Sequence, residues 1–236
     1  MAEAIVITPV KDSFDTTIKT IEAIAKADGE FSYFVYNDFS LQPTKQFLEA
    51  NQVKFKYTLI HLEDKTSTPS PNYRLVLEMA QQKALEEKVP LIIIESDVII
   101  QKHTISSLIK LAKEKQDSGL IGAITVDSSG YYNFPYEFEK IKSDEVIDTN
   151  HSLSFCCTLI NYSFLQKFDF KQLSSKKDWY DIFLSRQSKK MNFTNYLAKS
   201  LEVEHLPHSS RPWKKLKYSN PIRYYIHKYL KQRDRI

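Results

Sequence analysis

Short apolar runs alternate with longer amphipathic stretches through the first half of the chain. Continuous apolar runs rich in β-branched residues are typical of strands that are buried on both faces of a sheet. Apolar residues that recur every three or four positions indicate helices that cover such a sheet. The predicted strands are 4–10, 31–36, 55–62, 90–100 and 120–126, and the predicted helices are 16–27, 43–51, 72–87 and 104–115. This order predicts an α/β fold with a mostly parallel central sheet and helices on both faces.

The pattern loosens after Asp127, where aromatic and charged residues mix without a clear period. Two further strands, 153–161 and 201–205, and a helix over 178–189 are predicted there. We therefore expect one domain over residues 1–210, with 1–126 and 127–210 as its two halves, and a separate tail over 211–236. Asp12 or Ser13 is expected to cap the first helix with its side chain.

Two acids interrupt the most apolar stretch of the chain, since Glu95 and Asp97 follow four consecutive aliphatic residues. In a strand, residues i and i+2 point to the same side, so these carboxylates are expected to converge. Ligands of open α/β sheets bind at the carboxyl ends of the strands. Two hard oxygen donors at that place suit Mg²⁺ or Mn²⁺ carrying a diphosphate. The alternative is a strand end with two solvated acids, and these residues alone give both interpretations equal weight.

The composition indicates how the fold is stabilised and in which cellular compartment the protein lies. The 236 residues are 42% hydrophobic, which is enough for a large core without disulfides. The only cysteines, Cys156 and Cys157, are adjacent, and no zinc-binding spacing exists, so we expect two core thiols in a reducing, cytoplasmic compartment. The first residues lack the basic and apolar regions of a signal peptide, and no apolar run has the length of a membrane span.

Several short motifs, taken in order, resemble one family over residues 4–210. The chain is similar to the GT-A fold glycosyltransferases of the large inverting group called family 2. The first strand ends in a proline, Tyr36-Asn37-Asp38-Phe39-Ser40 resembles the "D-D-x-S" turn, and Glu95-Ser96-Asp97 stands at the Asp-x-Asp position. Other matching positions are Asn72, 154–160, the "G-x-F-D" segment 164–169, the "E-D-x-D…R" helix at 178–186, and "V-x-H" at 203–205.

The resemblance implies a nucleotide-binding first half, an acceptor-side second half and a role for each matching residue. Asp97, together with His205, is expected to bind a divalent cation, Mn²⁺ or Mg²⁺, on the diphosphate of a nucleotide-sugar donor. The general base is expected from the pair Asp178 and Asp181, with Asp178 preferred. The nucleotide-sugar contacts are expected from Thr8, Pro9, Asp12, Asp38, Asn72, Glu95 and Ser96, with Asp38 at the base and Glu95 and Ser96 at the ribose and phosphate.

Three residues depart from the family pattern. Glu95 replaces the first acid of Asp-x-Asp, and Asn37 replaces the first acid of the "D-D-x-S" turn. When the helix motif is aligned on Asp181 without a gap, Trp179 stands at the position of the usual base. The expected reaction is transfer of a sugar, with UDP-sugars favoured, to a glycan or lipid-linked acceptor. The departures leave open a binding protein without turnover. A nucleotidyltransferase is a weaker alternative, because that chemistry uses a glycine-rich loop after the first strand and none is present.

The tail is the basic part of the chain. Residues 211–236 hold nine Lys and Arg and one acid, so the remaining residues carry a net charge of −4. Apolar residues at helical spacing from Ile222 to Leu230 predict a basic amphipathic helix. One interpretation is that this helix lies on an anionic membrane, which agrees with a peripheral position at the inner face of the membrane. The other is that its aromatic residues pack on the domain. No nucleic-acid recognition motif accompanies the charge, so we expect no nucleic-acid partner.

Overall fold

The computed structural model describes residues 2–136, 139, 142–174, 179–206 and 225–226. The strands are β1 (Ala4–Val10), β2 (Phe31–Asn37), β3 (Thr58–His61), β4 (Leu91–Ile94), β5 (Val98–Ile99), β6 (Ser118–Val126), β7 (Val146–Asp148), β8 (Cys157–Ile160) and β9 (Thr194–His205). The helices are α1 (Phe14–Ala25), α2 (Gln42–Ala50), α3 (Gln52–Phe55), α4 (Tyr73–Glu87), α5 (Thr104–Glu114), α6 (Tyr162–Lys167) and α7 (Tyr180–Lys190). Short 3-10 turns cover Leu62–Asp64 and Phe170–Gln172.

The strands form a single sheet in the order β3-β2-β1-β4-β8-β6-β9-β5, and β7 pairs with β9. The pairs β3–β2, β2–β1 and β1–β4 are parallel, as the alternating pattern predicts. β8 lies antiparallel between β4 and β6, and these two reversals restore the original direction in β6 and in its parallel neighbour β9. The carboxyl ends of β1–β4, β6 and β9 therefore lie along one side of the sheet, called here the carboxyl edge.

Apolar residues cover both faces of the sheet, which confirms the α/β prediction. Alternate residues of β4 enter different clusters, since Leu91 and Ile93 pack on one face and Ile92 and Ile94 on the other. The first cluster includes residues of α4, α6 and α7, and the second includes residues of α1 and α5. A strand that is buried on both faces needs an apolar side chain at every position, and this explains the continuous aliphatic runs.

Several predicted boundaries are wrong, and tertiary contacts explain the differences. Residues 90–100 form two strands because the chain turns at 95–97, and β3 begins only at Thr58 because residues 52–55 form α3. The strand predicted over 201–205 is the end of β9, which starts at Thr194 and changes register against β6 beyond Ala198. That irregularity breaks the period-two pattern and hides the first half of the strand.

The predicted side-chain cap of α1 is wrong as well. Ser13 is the N-cap residue, but its backbone is left-handed at a φ of 50° and its side chain makes no capping hydrogen bond. The Asp12 carboxylate instead accepts a hydrogen bond from the Leu41 amide at 2.7 Å. The acid therefore joins the segments that follow β1 and β2 rather than stabilising the helix locally.

The chain divides into two units, residues 1–206 and 207–236. In the second unit Tyr225 and Ile226 are helical and about half exposed. The rest of the predicted amphipathic tail lies outside the described residues. Within the described part of the chain, no helix combines the length and the apolar character needed to cross a membrane.

Candidate active site

The carboxyl edge gathers acidic and polar residues from distant parts of the sequence. Asp12 follows β1, Asp38 follows β2, and Glu95 and Asp97 follow β4. His205 ends β9 at the same edge, because β9 runs parallel to β4 through two intervening strands. The topology alone therefore brings residues more than a hundred positions apart into one region, as is typical of ligand sites in α/β sheets.

A tight turn, rather than a straight strand, presents Glu95 and Asp97. The Glu95 amide donates to the Cys156 carbonyl at 3.0 Å, and the Glu95 carbonyl accepts from the Val98 amide at 3.2 Å. Asp97 is completely buried, whereas Glu95 and Ser96 remain partly exposed. The strand alternation from which convergence was expected is therefore absent at these two acids, because residues 95–97 lie in a turn between β4 and β5.

Asp97 is paired with His205. The antiparallel pairing of Val98 with His205, and a hydrogen bond of 2.8 Å from the Leu206 amide to the Asp97 carbonyl, join the two segments. The His205 Nε2 atom lies 3.3 Å from the Asp97 Oδ2 atom. Burial acts to lower the pKa of His205, but Asp97, Glu95 and the Phe134 carbonyl together raise that pKa above its ordinary value.

The protonation of His205 follows from its second contact. Its Nδ1 atom lies 2.8 Å from the Phe134 carbonyl oxygen, which only accepts hydrogen bonds. Nδ1 must therefore donate, and in the neutral tautomer Nε2 directs a lone pair toward the Asp97 carboxylate. The lone pair and the carboxylate repel each other, and a positive charge between the two atoms, either a proton or a cation, removes this repulsion.

The Asp97–His205 pair fits a divalent cation. Two ligands at about 2.1 Å from one ion stand about 3.0 Å apart at a right angle, and the observed Nε2–Oδ2 distance is 3.3 Å. Among the described residues no group of three or more His, Cys, Asp or Glu side chains encloses an ion alone. Mg²⁺-type sites commonly use one or two protein ligands together with substrate phosphates, and the pair agrees with that type.

Asp38 anchors the loop before α4. Its Oδ2 atom accepts hydrogen bonds from the Ser70 hydroxyl at 2.7 Å and the Asn72 amide at 2.8 Å, and its Oδ1 atom accepts from the Asn72 side chain at 2.8 Å. Three of the roughly four acceptor positions of the carboxylate are therefore used inside the protein. Asp38 and Asn72, which the sequence assigned separately to the nucleotide, hold one another.

The neighbouring positions are also engaged within the protein. Thr8 is fully buried and accepts a hydrogen bond from the Tyr33 hydroxyl at 2.9 Å, whereas Pro9 is partly exposed. The amide of buried Asn37 donates to His61 Nδ1 at 2.9 Å, so His61 directs its Nε2 proton to Glu49 at 3.4 Å. An acid at position 37 could not make that donation, which gives a physical reason for the departure from the family motif.

An aromatic stack fills the space between the acidic turn and α7. The Tyr73 ring lies between Phe155 and Tyr180, with centroid distances of 6.2 Å to each and interplanar angles of 16° and 5°. Next to the stack, Cys156 Sγ lies 3.9 Å from Glu95 Oε2. Sequence reasoning missed Tyr73; its signal was an aromatic residue directly after Asn72.

Asp181 lies in the first turn of α7, directly after stacked Tyr180. Burial, and then the charges of Glu95 and Asp97, raise the pKa of the Cys156 thiol, and Asp181 adds to that effect. Asp181 therefore belongs to the same electrostatic environment as the acidic turn. The preferred base Asp178 lies outside the described residues.

Comparisons with known proteins agree with this fold. The model of the family described as "Glycosyl transferase family 2" matches residues 5–169. Among curated proteins, none matches the sequence significantly. The structure is similar to Staphylococcus aureus TarS 1-349, with a TM-score of 0.63, 16% identity, and coverage of 86% of this chain and 60% of TarS 1-349.

Two further solved structures share the fold. The Pyrobaculum calidifontis mannosyltransferase PcManGT, in complex with GDP-Man and Mn²⁺, has a TM-score of 0.67 at 10% identity and covers 95% of this chain and 63% of its own. GalNAc-T7 with UDP, GalNAc and Mn²⁺ has a TM-score of 0.63 at 11% identity, with coverage of 89% and 45%. The chain thus spans less than two thirds of these structures. The GT-A resemblance is confirmed, and the chain belongs to glycosyl transferase family 2.

Proposed function

We propose that the protein transfers a sugar from a nucleoside diphosphate donor, with uridine favoured, to a hydroxyl group of a glycan or lipid-linked acceptor. Inversion at the anomeric carbon is part of the proposal. The observation that carries it is the pairing of buried Asp97 with His205 near Glu95, at the carboxyl edge of the sheet. Solved structures of similar fold contain UDP, UDP-GlcNAc or GDP-Man, and this agrees with a nucleotide-sugar donor.

In this proposal Asp97 and His205 hold Mn²⁺ or Mg²⁺. The bound cation would offset the negative charge that develops on the departing diphosphate. Glu95 and Ser96, which remain partly exposed on the same turn, contact the ribose and phosphates. Asp38 and Asn72 act by fixing the wall of the nucleotide pocket, because their side chains bind one another.

Asp181 takes the proton of the acceptor hydroxyl as general base. It is partly exposed in the first turn of α7, so an acceptor can reach it, and it lies in the electrostatic environment of Glu95. A carboxylate that receives this proton makes the attacking oxygen a better nucleophile. Asp178 is the competing candidate, and substitution separates the two.

Calorimetric titration of UDP with and without Mn²⁺ tests the donor and cation site. Wild-type protein is expected to bind UDP at least tenfold more tightly with Mn²⁺, and Asp97→Asn is expected to lose this difference. Asp117→Asn is the matched control, because it removes an acid that accepts from Tyr196 before β6, at the other end of that strand. Equal UDP binding by Asp97→Asn and wild type, or no UDP binding by wild type, would contradict the proposal.

Turnover is tested by release of UDP from UDP-sugars. Asp181→Asn is expected to lower kcat by about a hundredfold or more with UDP affinity unchanged, whereas Asp178→Asn retains activity. The opposite result would assign the base to Asp178. Binding of a UDP-sugar without hydrolysis or transfer, over a panel of donors and acceptors, would favour the alternative of a nucleotide-sugar-binding protein without turnover.

We also place the protein at the inner face of the membrane through residues 211–236. The support is that these residues include nine Lys and Arg but only one acid. Each basic residue near an anionic membrane surface contributes about 1 kcal/mol to binding. Co-sedimentation with phosphatidylserine vesicles that weakens at high salt, and not with phosphatidylcholine vesicles, is the expected result; equal sedimentation with both would refute it.

A further inference from the structure

Hydrogen bonds of the preceding residue and aromatic stacking hold Tyr73 in place near the acidic turn. It is the first residue of α4, and Asn72 before it is fixed by three hydrogen bonds that involve Asp38 or Thr68. Its ring is stacked on Phe155 on one side and Tyr180 on the other. Stacking at these distances leaves the ring little freedom, so its hydroxyl group is held in a defined place.

The Tyr73 hydroxyl is buried and has no hydrogen-bond partner within the described part of the chain. Two other buried tyrosine hydroxyls have partners, since Tyr180 donates to the Ser174 carbonyl at 3.0 Å and Tyr57 donates to the Leu48 carbonyl at 2.6 Å, whereas Tyr132 shares the property of Tyr73 within the described residues. A buried polar group without a partner lowers stability by about 1–3 kcal/mol. Such a group at an active site indicates a bond that forms only with a ligand.

The surroundings of this hydroxyl are acidic. Phe155, on one side of the ring, precedes Cys156, whose carbonyl binds the Glu95 amide, and Tyr180, on the other side, precedes Asp181. Burial raises the pKa of Tyr73 well above its ordinary value, and the charges of Glu95, Asp181 and Asp97 raise it further. The phenol therefore stays neutral and able to donate across the physiological pH range.

The chemistry of the position selects the kind of ligand atom. An anionic oxygen directly at the phenol would be repelled by the neighbouring carboxylates. A neutral hydroxyl group fits, because it accepts from Tyr73 and donates its own proton to a carboxylate. Tyr73 is also the first residue of α4, directly after Asn72, which binds Asp38, and it lies close to the turn that bears Asp97. With a diphosphate bound at Asp97, as proposed, the sugar attached to it is the hydroxyl-bearing group nearest to Tyr73.

We infer that the Tyr73 hydroxyl donates a hydrogen bond to a hydroxyl group of the transferred sugar and is a specificity residue of the donor site. The inference rests on the proposed function and deepens it. A site that bonds a particular hydroxyl discriminates strongly against sugars that do not present it. The aromatic stack supplies the rigidity that such discrimination requires.

The test is Tyr73→Phe, which keeps the stack and removes a single oxygen atom. UDP and the sugar nucleotides UDP-glucose, UDP-galactose and UDP-GlcNAc are titrated with Mn²⁺ present. Affinity for UDP is expected to stay within about twofold of wild type, while the tightest UDP-sugar loses about fivefold to tenfold. Tyr180→Phe is the matched control: its hydroxyl is bound within the protein, so its loss lowers the melting temperature and leaves the ratio of UDP-sugar to UDP affinity unchanged.

Melting temperature provides an independent readout. Because Tyr73→Phe removes an unpartnered buried hydroxyl, its Tm is expected to equal or exceed that of wild type. Any of four results for Tyr73→Phe would overturn the inference. These are a Tm below that of wild type, an unchanged ratio of UDP-sugar to UDP affinity, an equal loss of affinity for both ligands, and a change confined to the KM of the acceptor. Failure of wild type to bind UDP with Mn²⁺ refutes the proposed function itself, whereas wild-type binding of UDP with no gain from the sugar refutes only the role of Tyr73.

Discussion

Replacement of Asp38 by alanine tests the anchor of the loop that precedes α4. The carboxylate is 8% exposed and accepts three hydrogen bonds, at 2.7, 2.8 and 2.8 Å. Each bond contributes about 1 kcal/mol net, and the buried Asn72 amide left without an acceptor adds to the loss. The expected decrease in the free energy of unfolding is therefore about 3–5 kcal/mol. For a chain of this length, that corresponds to a decrease in Tm of roughly 10 °C.

Thermal unfolding followed by circular dichroism measures this effect, and urea titration gives the free energy directly. Asp38→Asn keeps one acceptor oxygen and is expected to fall between alanine and wild type. Asp12→Ala is the control, because that side chain is 38% exposed and accepts a single backbone hydrogen bond, from Leu41. A Tm for Asp38→Ala within about 2 °C of wild type would show that the carboxylate is not an anchor, and a larger loss for Asp12→Ala would invert the reasoning.

Three further predictions concern the core. Gly119→Ala is expected to lower stability by about 2 kcal/mol or more, because an added Cβ would meet Ser188 Oγ at 2.0 Å; a urea midpoint equal to that of wild type would contradict it. Gln81→Met is expected to lower stability by about 3 kcal/mol, because the buried side-chain amide makes three hydrogen bonds, at 2.6, 2.8 and 2.9 Å, to the backbone of Phe168, Phe170 and Leu165 respectively. Cys156 and Cys157 are buried, and burial raises the pKa of Cys157 to about 12, so little thiolate exists at pH 8. Both thiols are therefore expected to react with Ellman's reagent only after denaturation. Rapid labelling of the native protein would refute this.

Local sequence was a reliable guide wherever burial is uniform. β1 and β4 contact apolar layers on both faces, so every position requires an aliphatic or small residue, and the strands are visible as continuous runs. β9 is the opposite case, because residues 197–199 are buried in succession next to the change of register and interrupt the alternation. Lys199 is itself buried and bonded to Glu139 at 3.0 Å, a contact across sixty residues that no local pattern reveals.

The sequence by itself determined the α/β class, the position of the acids after β2 and β4, and, through ordered motifs, the family. These properties depend on residue type and spacing along a short stretch of chain. The tertiary structure alone decided that Asp38 binds Asn72, that Lys199 binds Glu139, and that the Tyr73 hydroxyl is buried near Glu95 and Asp181 without a partner among the described residues. Such contacts depend on strand order and on how helices return to the sheet, and their free energy comes from residues that are distant in sequence.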